Sequence, residues 1–296
     1  MIFKRTALLF LAVIASASVI VTGCGPEENG NGGDSGKADS GNITVEIKGK
    51  IFSIPSPIQT AFLIKKTGAA FDKNILNASE NSTSYSTKYQ KALNLGAYGC
   101  DLGYLTMYDQ NGDALKYFVA TQKLGDDLDV SAAFDKSLME RFQKNIGKKD
   151  SMLVLVSTAY RASDAFLKNN DRSDIGALII AGGWIEALYF AAQTAKANSN
   201  QEIVNRIAEQ KTTLGNLVGL LETYAGDEEY SELLSQLKGL QADFEGIEYT
   251  YIYNKPTTDE AKKMTIFTSK SEVKITPEQL KSITEKIEAL RKLVTG

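Results

Sequence analysis

Apolar residues recur at helical spacing along most of this chain. Val130, Phe134, Leu138, Phe142 and Ile146 repeat every four residues, and Tyr230, Leu233, Leu237, Leu240 and Phe244 alternate steps of three and four. Residues so spaced line one face of an α-helix. Turn and cap residues cut the pattern into segments. Pro55 and Pro57 introduce a helix that runs to about Lys66. Ser84 to Asp109 reads as one long helix or two in line. Asp113 to Leu124 stops at Gly125, Asp129 caps a helix that stops at Gly147, and Asp150 opens a third that Asn169, Asn170 and Asp171 close. Further helices are expected over Asp174 to Ala197 and Gln201 to Ala225, and from the Asp227 cap to Gly246. Thr276-Pro277-Glu278 is a clean start for the last, with a cap, a first-turn proline and an early acid. Two stretches alternate instead. Ile43 to Ile51 and Ile247 to Tyr253 have the two-residue period of strands, with Asn254 to Lys262 as a polar loop and Met264 to Ser269 as a returning strand. A lone hairpin is marginal in water, so it should lie on the helices or pair with Ile43 to Ile51. The fold predicted is mainly α, a multi-helix bundle of about eight to nine helices, with a small β-hairpin or short strands near the C-terminus and after the linker.

Small residues add a packing prediction. Ala92, Gly96, Gly99 and Gly103 share one helical face, and Gly176, Ile180, Gly183, Ala187 and Ala191 make a second mostly small stripe. Glycine costs about 1 kcal/mol against alanine inside a helix, so such stripes need a return, and close approach of the two helices supplies one. A break at Gly96 and Gly99 is the competing reading. Asp174 to Ala197 is apolar nearly all round, as in a central core helix. It could also be read as a membrane span, but Glu186 at its middle would cost several kcal/mol in lipid.

The start of the chain is different in kind. Lys4 and Arg5 precede sixteen uncharged residues, Thr6 to Val21, which is the layout of a signal peptide. The stretch ends Val21-Thr22-Gly23-Cys24, which resembles the lipobox of bacterial lipoproteins. That resemblance implies cleavage before Cys24 and a diacylglycerol thioether on its sulfur. Two or three acyl chains would make attachment effectively permanent, since each buried methylene contributes about 0.8 kcal/mol. Gly25 to Asn42 is Gly, Asn, Ser, Asp and Glu with one Pro, one Lys and one Ala, a composition too polar to order itself. The expected organisation is therefore a signal peptide over 1–23, a flexible tether over 24–42 and one mainly helical domain over 43–296. Gly25 after the cysteine points to the outer membrane. Glu27 and Glu28 resemble a surface-export signal of Bacteroidota lipoproteins and also read as a solvated acidic linker.

Composition narrows function by subtraction. The chain has no histidine, which removes Ser-His-Asp, Cys-His and HExxH chemistry from its repertoire. Without Lys4 and Arg5 the mature chain carries 31 basic and 36 acidic residues, a net charge of −5, and no basic patch interleaved with aromatics, so nucleic acid is not an expected partner. Cys100 is the only thiol beyond Cys24, so no internal disulfide is expected. Asp109-Gln-Asn111-Gly-Asp113 has a trace of a calcium loop but lacks its glycine position and closing glutamate, and it reads better as an interhelical turn. No cofactor and no metal site is expected.

Polar groups within apolar helices are the remaining leads. Glu186 stands between Ile185 and Ala187, and Asp101 lies two residues from Gly99 and Gly103. Buried charges are usually paired, so a structural network such as Glu186 with Arg161 is one reading. A carboxylate pair hydrolysing glycosides is another, and it requires separations of roughly 5 or 6.5–9.5 Å. Tyr85, Tyr89, Tyr98, Tyr104, Tyr108, Tyr189 and Trp184 are either core packing or a ligand-lining cluster. The candidate binding set is Asp101, Tyr104, Trp184, Glu186 and Tyr189. Asp150-Ser151-Met152 resembles an O-glycan acceptor of Bacteroidota envelope proteins, but reads better as a capped helix start, which needs no modification.

Lys91 to Tyr104 (KALNLGAYGCDLGY) and Gly182 to Tyr189 (GGWIEALY) resemble text from Bacteroidota-type outer-membrane lipoproteins. The resemblance implies an envelope location and supplies no activity. The expected function is that of a membrane-anchored, non-enzymatic helical interaction or scaffold protein of the cell envelope, held by lipidated Cys24 and meeting an envelope protein partner. A small-molecule or glycan-binding lipoprotein and a carboxylate hydrolase are the alternatives.

Overall fold

Ten α-helices form among the described residues: α1 (Pro57–Lys66), α2 (Lys88–Met107), α3 (Asn111–Asp127), α4 (Lys136–Asn145), α5 (Lys149–Asn169), α6 (Ser173–Ala197), α7 (Gln201–Ala208), α8 (Gln210–Glu222), α9 (Glu228–Glu245) and α10 (Pro277–Thr295). Six short strands accompany them: β1 (Ile43–Ile47), β2 (Lys50–Ile54), β3 (Glu248–Ile252), β4 (Thr257–Asp259), β5 (Met264–Ile266) and β6 (Lys270–Lys274). The fold is mainly α, as the periodicity predicts. This computed structural model describes residues 43–47, 50–54, 57–133, 136–145, 148–226, 228–259, 264–266 and 268–296, all within the unit Lys37–Gly296. Cys24, the signal and tether at 1–42, Phe134, Ile146, Gly147 and Asp227 lie outside the described residues.

The centre of the bundle is the pairing of α2 with α6, the most extensive helix contact in the chain. The small stripes meet there, and the backbones nearly touch. A methyl group at Gly96 would sit 2.7 Å from the Gly183 nitrogen and press on the Ile179 carbonyl, and one at Gly182 would press on the Leu93 carbonyl. Gly182, beside the predicted stripe, is thus the residue of α6 that admits α2. Gly99 faces another neighbour, since a methyl there would meet the Tyr160 hydroxyl of α5 at 2.5 Å. By length and composition α6 could cross a membrane, but 94% of its apolar window is buried within the protein. It is the core helix, with α1, α5, α8 and α10 also packed against it.

Helix ends follow local chemistry, with corrections. The box predicted at Thr276 forms, with the Thr276 hydroxyl accepting from the Gln279 N–H at 3.2 Å and Gln279 Oε1 accepting from the Thr276 N–H at 2.8 Å. A second box at Thr87 and Gln90 starts α2 four residues later than Ser84. Gly125 does not stop α3, which continues to Asp127, and Asp129 is not a cap for a helix over 130–146. Instead Asp109, Asp129 and Asp171 take left-handed backbone (φ 58°, 54° and 55°) just past α2, α3 and α5. Aspartate tolerates that region better than most residues, so α2 and α5 close at Asp109 and Asp171 as expected, and Asp129 closes α3 in place of Gly125. The predicted 201–225 helix breaks at Glu209. There Gln210 Nε2 donates to the Arg206 carbonyl at 3.1 Å and the Tyr249 hydroxyl donates to the Ala208 carbonyl, so side chains enter the helical ladder.

The strands also differ in pairing. Ile43 to Ile51 is not one strand but part of a hairpin, β1 with β2. The partner of β3 is β6, not Met264–Ser269, and β4 and β5 pair with each other inside the stretch expected to be loop and return. Lys270–Lys274 has a single apolar residue, Val273, so it carries no alternation to detect. Val273 lies opposite Tyr249 and packs on the core, which anchors that register.

Candidate functional site

Asp101 of α2 and Glu186 of α6 meet in the core, where they are 0% and 1% exposed. The partner of Glu186 is Arg291 of α10, not Arg161, which is exposed. Arg291 Nε donates to Glu186 Oε2 and Nη2 to Oε1, both at 3.2 Å, a two-pronged contact that suits the planar guanidinium. The guanidinium also stacks 4.8 Å from the Tyr189 ring centre and donates to the Ile75 carbonyl at 3.3 Å.

As a carboxylate, Asp101 would have no donor in hydrogen-bond geometry on either oxygen. Burial first, and the Glu186 charge second, push its carboxyl well above the ordinary range. A proton on Asp101 relieves the repulsion between the two carboxyls and makes Asp101 a donor for Glu186. Glu186 is also raised by burial, while Arg291 and the Asp101 proton pull it back down. Burial works against the Arg291 charge, but Glu186 and Asp101 outweigh it. The chain of groups is therefore acid, carboxylate, guanidinium. The same two carboxyls, after burial itself, raise the Cys100 thiol, which sits inert in the core.

Around this chain, polar side chains hold the stretch between α1 and α2, which outside two short 3-10 turns, Lys73–Ile75 and Ser79–Thr83, has neither helix nor sheet. The Tyr104 hydroxyl accepts from the Asp72 N–H at 3.1 Å. The Tyr108 hydroxyl donates to the Ala69 carbonyl at 2.7 Å, and that of Tyr98 to the Ala78 carbonyl at 2.6 Å. Asn77 Nδ2 donates to the Tyr85 hydroxyl at 2.9 Å and to Asn94 Oδ1 at 3.0 Å, while Asn94 Nδ2 reaches the Val294 carbonyl at 2.7 Å. A backbone stretch that lies on the core without helix or sheet must find such partners. The aromatic rings pack together, Tyr104 at 4.9 Å from Phe190 and 4.8 Å from Tyr108.

Of the five candidate binding residues, Asp101, Glu186 and Tyr189 share this network and Tyr104 borders it. Trp184 does not join them. Its indole N–H donates to Gln210 Oε1 at 3.1 Å, buried between α6 and α8. Sequence reasoning missed Arg291, Asn77 and Asn94. Asn94 had a visible signal, a poor helix former between Leu93 and Leu95, whereas Arg291 only flanks the Ile287–Leu290–Val294 stripe.

No protein-family model, no curated protein and no solved structure matches this chain. Chemistry must therefore be judged from the geometry. Both carboxyls are sealed from solvent, so a glycoside and its attacking water cannot reach them. Among the described residues no group of three or more Cys, Asp or Glu side chains gathers as metal ligands. An apolar cleft of about 70 Å³ does open elsewhere, among Leu102, Phe118, Met139, Phe142, Val156 and Tyr160.

Proposed function

We propose that this chain is a lipid-anchored protein of the bacterial cell envelope that works by contact and not by catalysis. The observation that carries this reading is where the reactive groups are. Glu186, Asp101 and the hydroxyls of Tyr98, Tyr104 and Tyr108 are held inside the core, while apolar side chains stand in solvent on and beside the strands. Among the described residues, six of the nine large apolar side chains that are exposed (Tyr249, Tyr251, Ile252, Tyr253, Met264 and Ile266) lie between Glu248 and Lys274. Cys24 and the polar residues after it support the anchor.

Cys24→Ser is expected to abolish incorporation of labelled palmitate and to move the protein from the membrane to the soluble fraction. Palmitate label retained in the variant would overturn the anchor. Capture of the lipidated protein from gently solubilised membranes should return a stoichiometric envelope partner, and repeated capture with crosslinking that returns none would overturn the contact reading.

A second reading, binding of a small apolar molecule, is favoured by the cleft beside Phe118 and Phe142. Tyr160 supports its wall by donating to the Gly96 carbonyl at 2.9 Å. A thermal-shift series of short-chain alcohols and fatty acids should raise the melting temperature, and Phe142→Trp, which fills the cleft, should remove the response. A flat series would end this reading.

A further inference from the structure

We infer that the two-stranded ribbon built from β3 and β6 and continued by β4 and β5 lies against the phospholipid surface to which the chain is tethered. The inference rests on the lipid-anchored reading and names the surface that the exposed apolar residues meet.

The ribbon has two unlike faces. Pairing places Tyr249 opposite Val273 and Tyr251 opposite Ser271, so the odd-numbered positions of β3 form an aromatic face without charge. The even-numbered positions pair Glu248 with Lys274 and Thr250 with Glu272, and so carry the charges. At its root the ribbon is fixed, because the Tyr249 hydroxyl donates to the Ala208 carbonyl at the end of α7 and Lys211 of α8 lies 6.0 Å from the Tyr249 ring centre. Further out nothing covers it among the described residues. Tyr251 is 65% exposed, Tyr253 66%, Met264 51% and Ile266 47%.

Tyrosine with an apolar body and a polar tip suits the boundary between acyl chains and headgroups, and methionine and isoleucine suit the layer beneath. Lys255, exposed beside Tyr253, adds a cation for anionic headgroups.

Placement selects lipid over other occupants. The tether would enter the fold at Ile43, the first residue of the β1–β2 hairpin, and β2 packs on α8, the helix that also carries Lys211 over Tyr249. Tether exit and ribbon root therefore share one helix. The eighteen residues 25–42, taken as a coil from their composition, span about 20–25 Å. The arm of the ribbon from Glu248 to Asp259 has twelve residues, up to about 40 Å at about 3.3 Å per residue. A lipid on Cys24 thus holds the membrane within the ribbon's own length.

The test uses the mature chain with Cys24→Ser, so that any membrane binding comes from the protein surface. It is mixed with phosphatidylethanolamine–phosphatidylglycerol vesicles, with and without Tyr251→Ser, Tyr253→Ser and Ile266→Ser together. The parent should co-sediment, and the triple variant should bind about tenfold or more weakly. Equal sedimentation of the two would overturn the inference. A fluorophore on Tyr253→Cys should be quenched by brominated lipid, both in this protein and in the lipidated form reconstituted in the same vesicles. Absence of quenching in either would overturn it, as would shielding that depends on protein concentration or on an added protein and not on lipid. The mass of the N-terminal peptide reports acylation of Cys24 separately. An unacylated Cys24 with a vesicle-binding ribbon would remove the anchor and keep the lipid contact, and an acylated Cys24 with an unquenched ribbon would do the reverse.

Discussion

Gly182→Ala is expected to destabilise the domain by about 3 kcal/mol or more, lowering the melting temperature by roughly 10 °C. The added methyl has no side chain to push aside. It meets the Leu93 carbonyl of α2, so two helix backbones must move apart along the most extensive contact in the bundle. Gly96→Ala meets the matching obstacle from the other side, the Ile179 carbonyl and the Gly183 nitrogen. Gly239→Ala is the control. It lies within α9 with nothing within 4 Å of the new methyl, so it should gain up to about 1 kcal/mol from helix propensity. Thermal denaturation of the three variants decides the matter, and equal melting temperatures for Gly182→Ala and Gly239→Ala would refute the backbone contact.

Arg291→Met is expected to cost about 3–5 kcal/mol near neutral pH, because it leaves the Glu186 carboxylate buried without its cation. The loss should shrink in acid, where Glu186 escapes by taking a proton. Asp101→Asn should behave differently. The folded protein holds the Asp101 carboxyl above its unfolded value, through burial first and Glu186 second, so folding favours its protonated form. The stability this contributes is complete below the unfolded value of about 3.9 and is lost as pH rises through the raised folded value. Asparagine does not titrate and can still donate to Glu186. Relative to the parent, Asp101→Asn should therefore gain stability as pH rises from 4 to 9. Urea denaturation across that range checks both variants. Curves for parent and Asp101→Asn that run parallel would exclude a shared proton.

Legibility in the sequence tracked distance along the chain. Apolar spacing of three and four residues placed nearly every helix, and Thr276-Pro277 marked the start of α10, because both signals are complete within one or two turns. The stripes of Ala92 and Gly96 and of Ile180 and Gly183 anticipated the α2–α6 contact, since glycine in a helix interior needs a compensating neighbour. Helix ends were less legible. Asp109 closes α2 and Asn169 to Asp171 closes α5 as expected, but Asp129 ends α3 in left-handed backbone, and an aspartate there is indistinguishable from the cap of a following helix. The candidate site was half visible. Glu186 and Asp101 announced themselves as charges among apolar residues, but Glu186 finds its cation 105 positions away. Arg161 looked as suitable as Arg291 in the sequence.

By itself the sequence determined the class of fold, nearly every helix, the capped start at Thr276, the absence of histidine chemistry and the lipobox pattern that ends at Cys24. Each is set by residue type and local spacing, because helix and strand periods repeat every few residues. The tertiary structure alone decided which guanidinium answers Glu186, that the Tyr98 and Tyr108 hydroxyls serve carbonyls between α1 and α2, that Trp184 stands apart with Gln210, and that β3 returns through β6 as an exposed ribbon. Those outcomes depend on where distant segments come to lie. A buried charge or carbonyl takes the partner that packing brings within about 3 Å, and no local pattern encodes that choice.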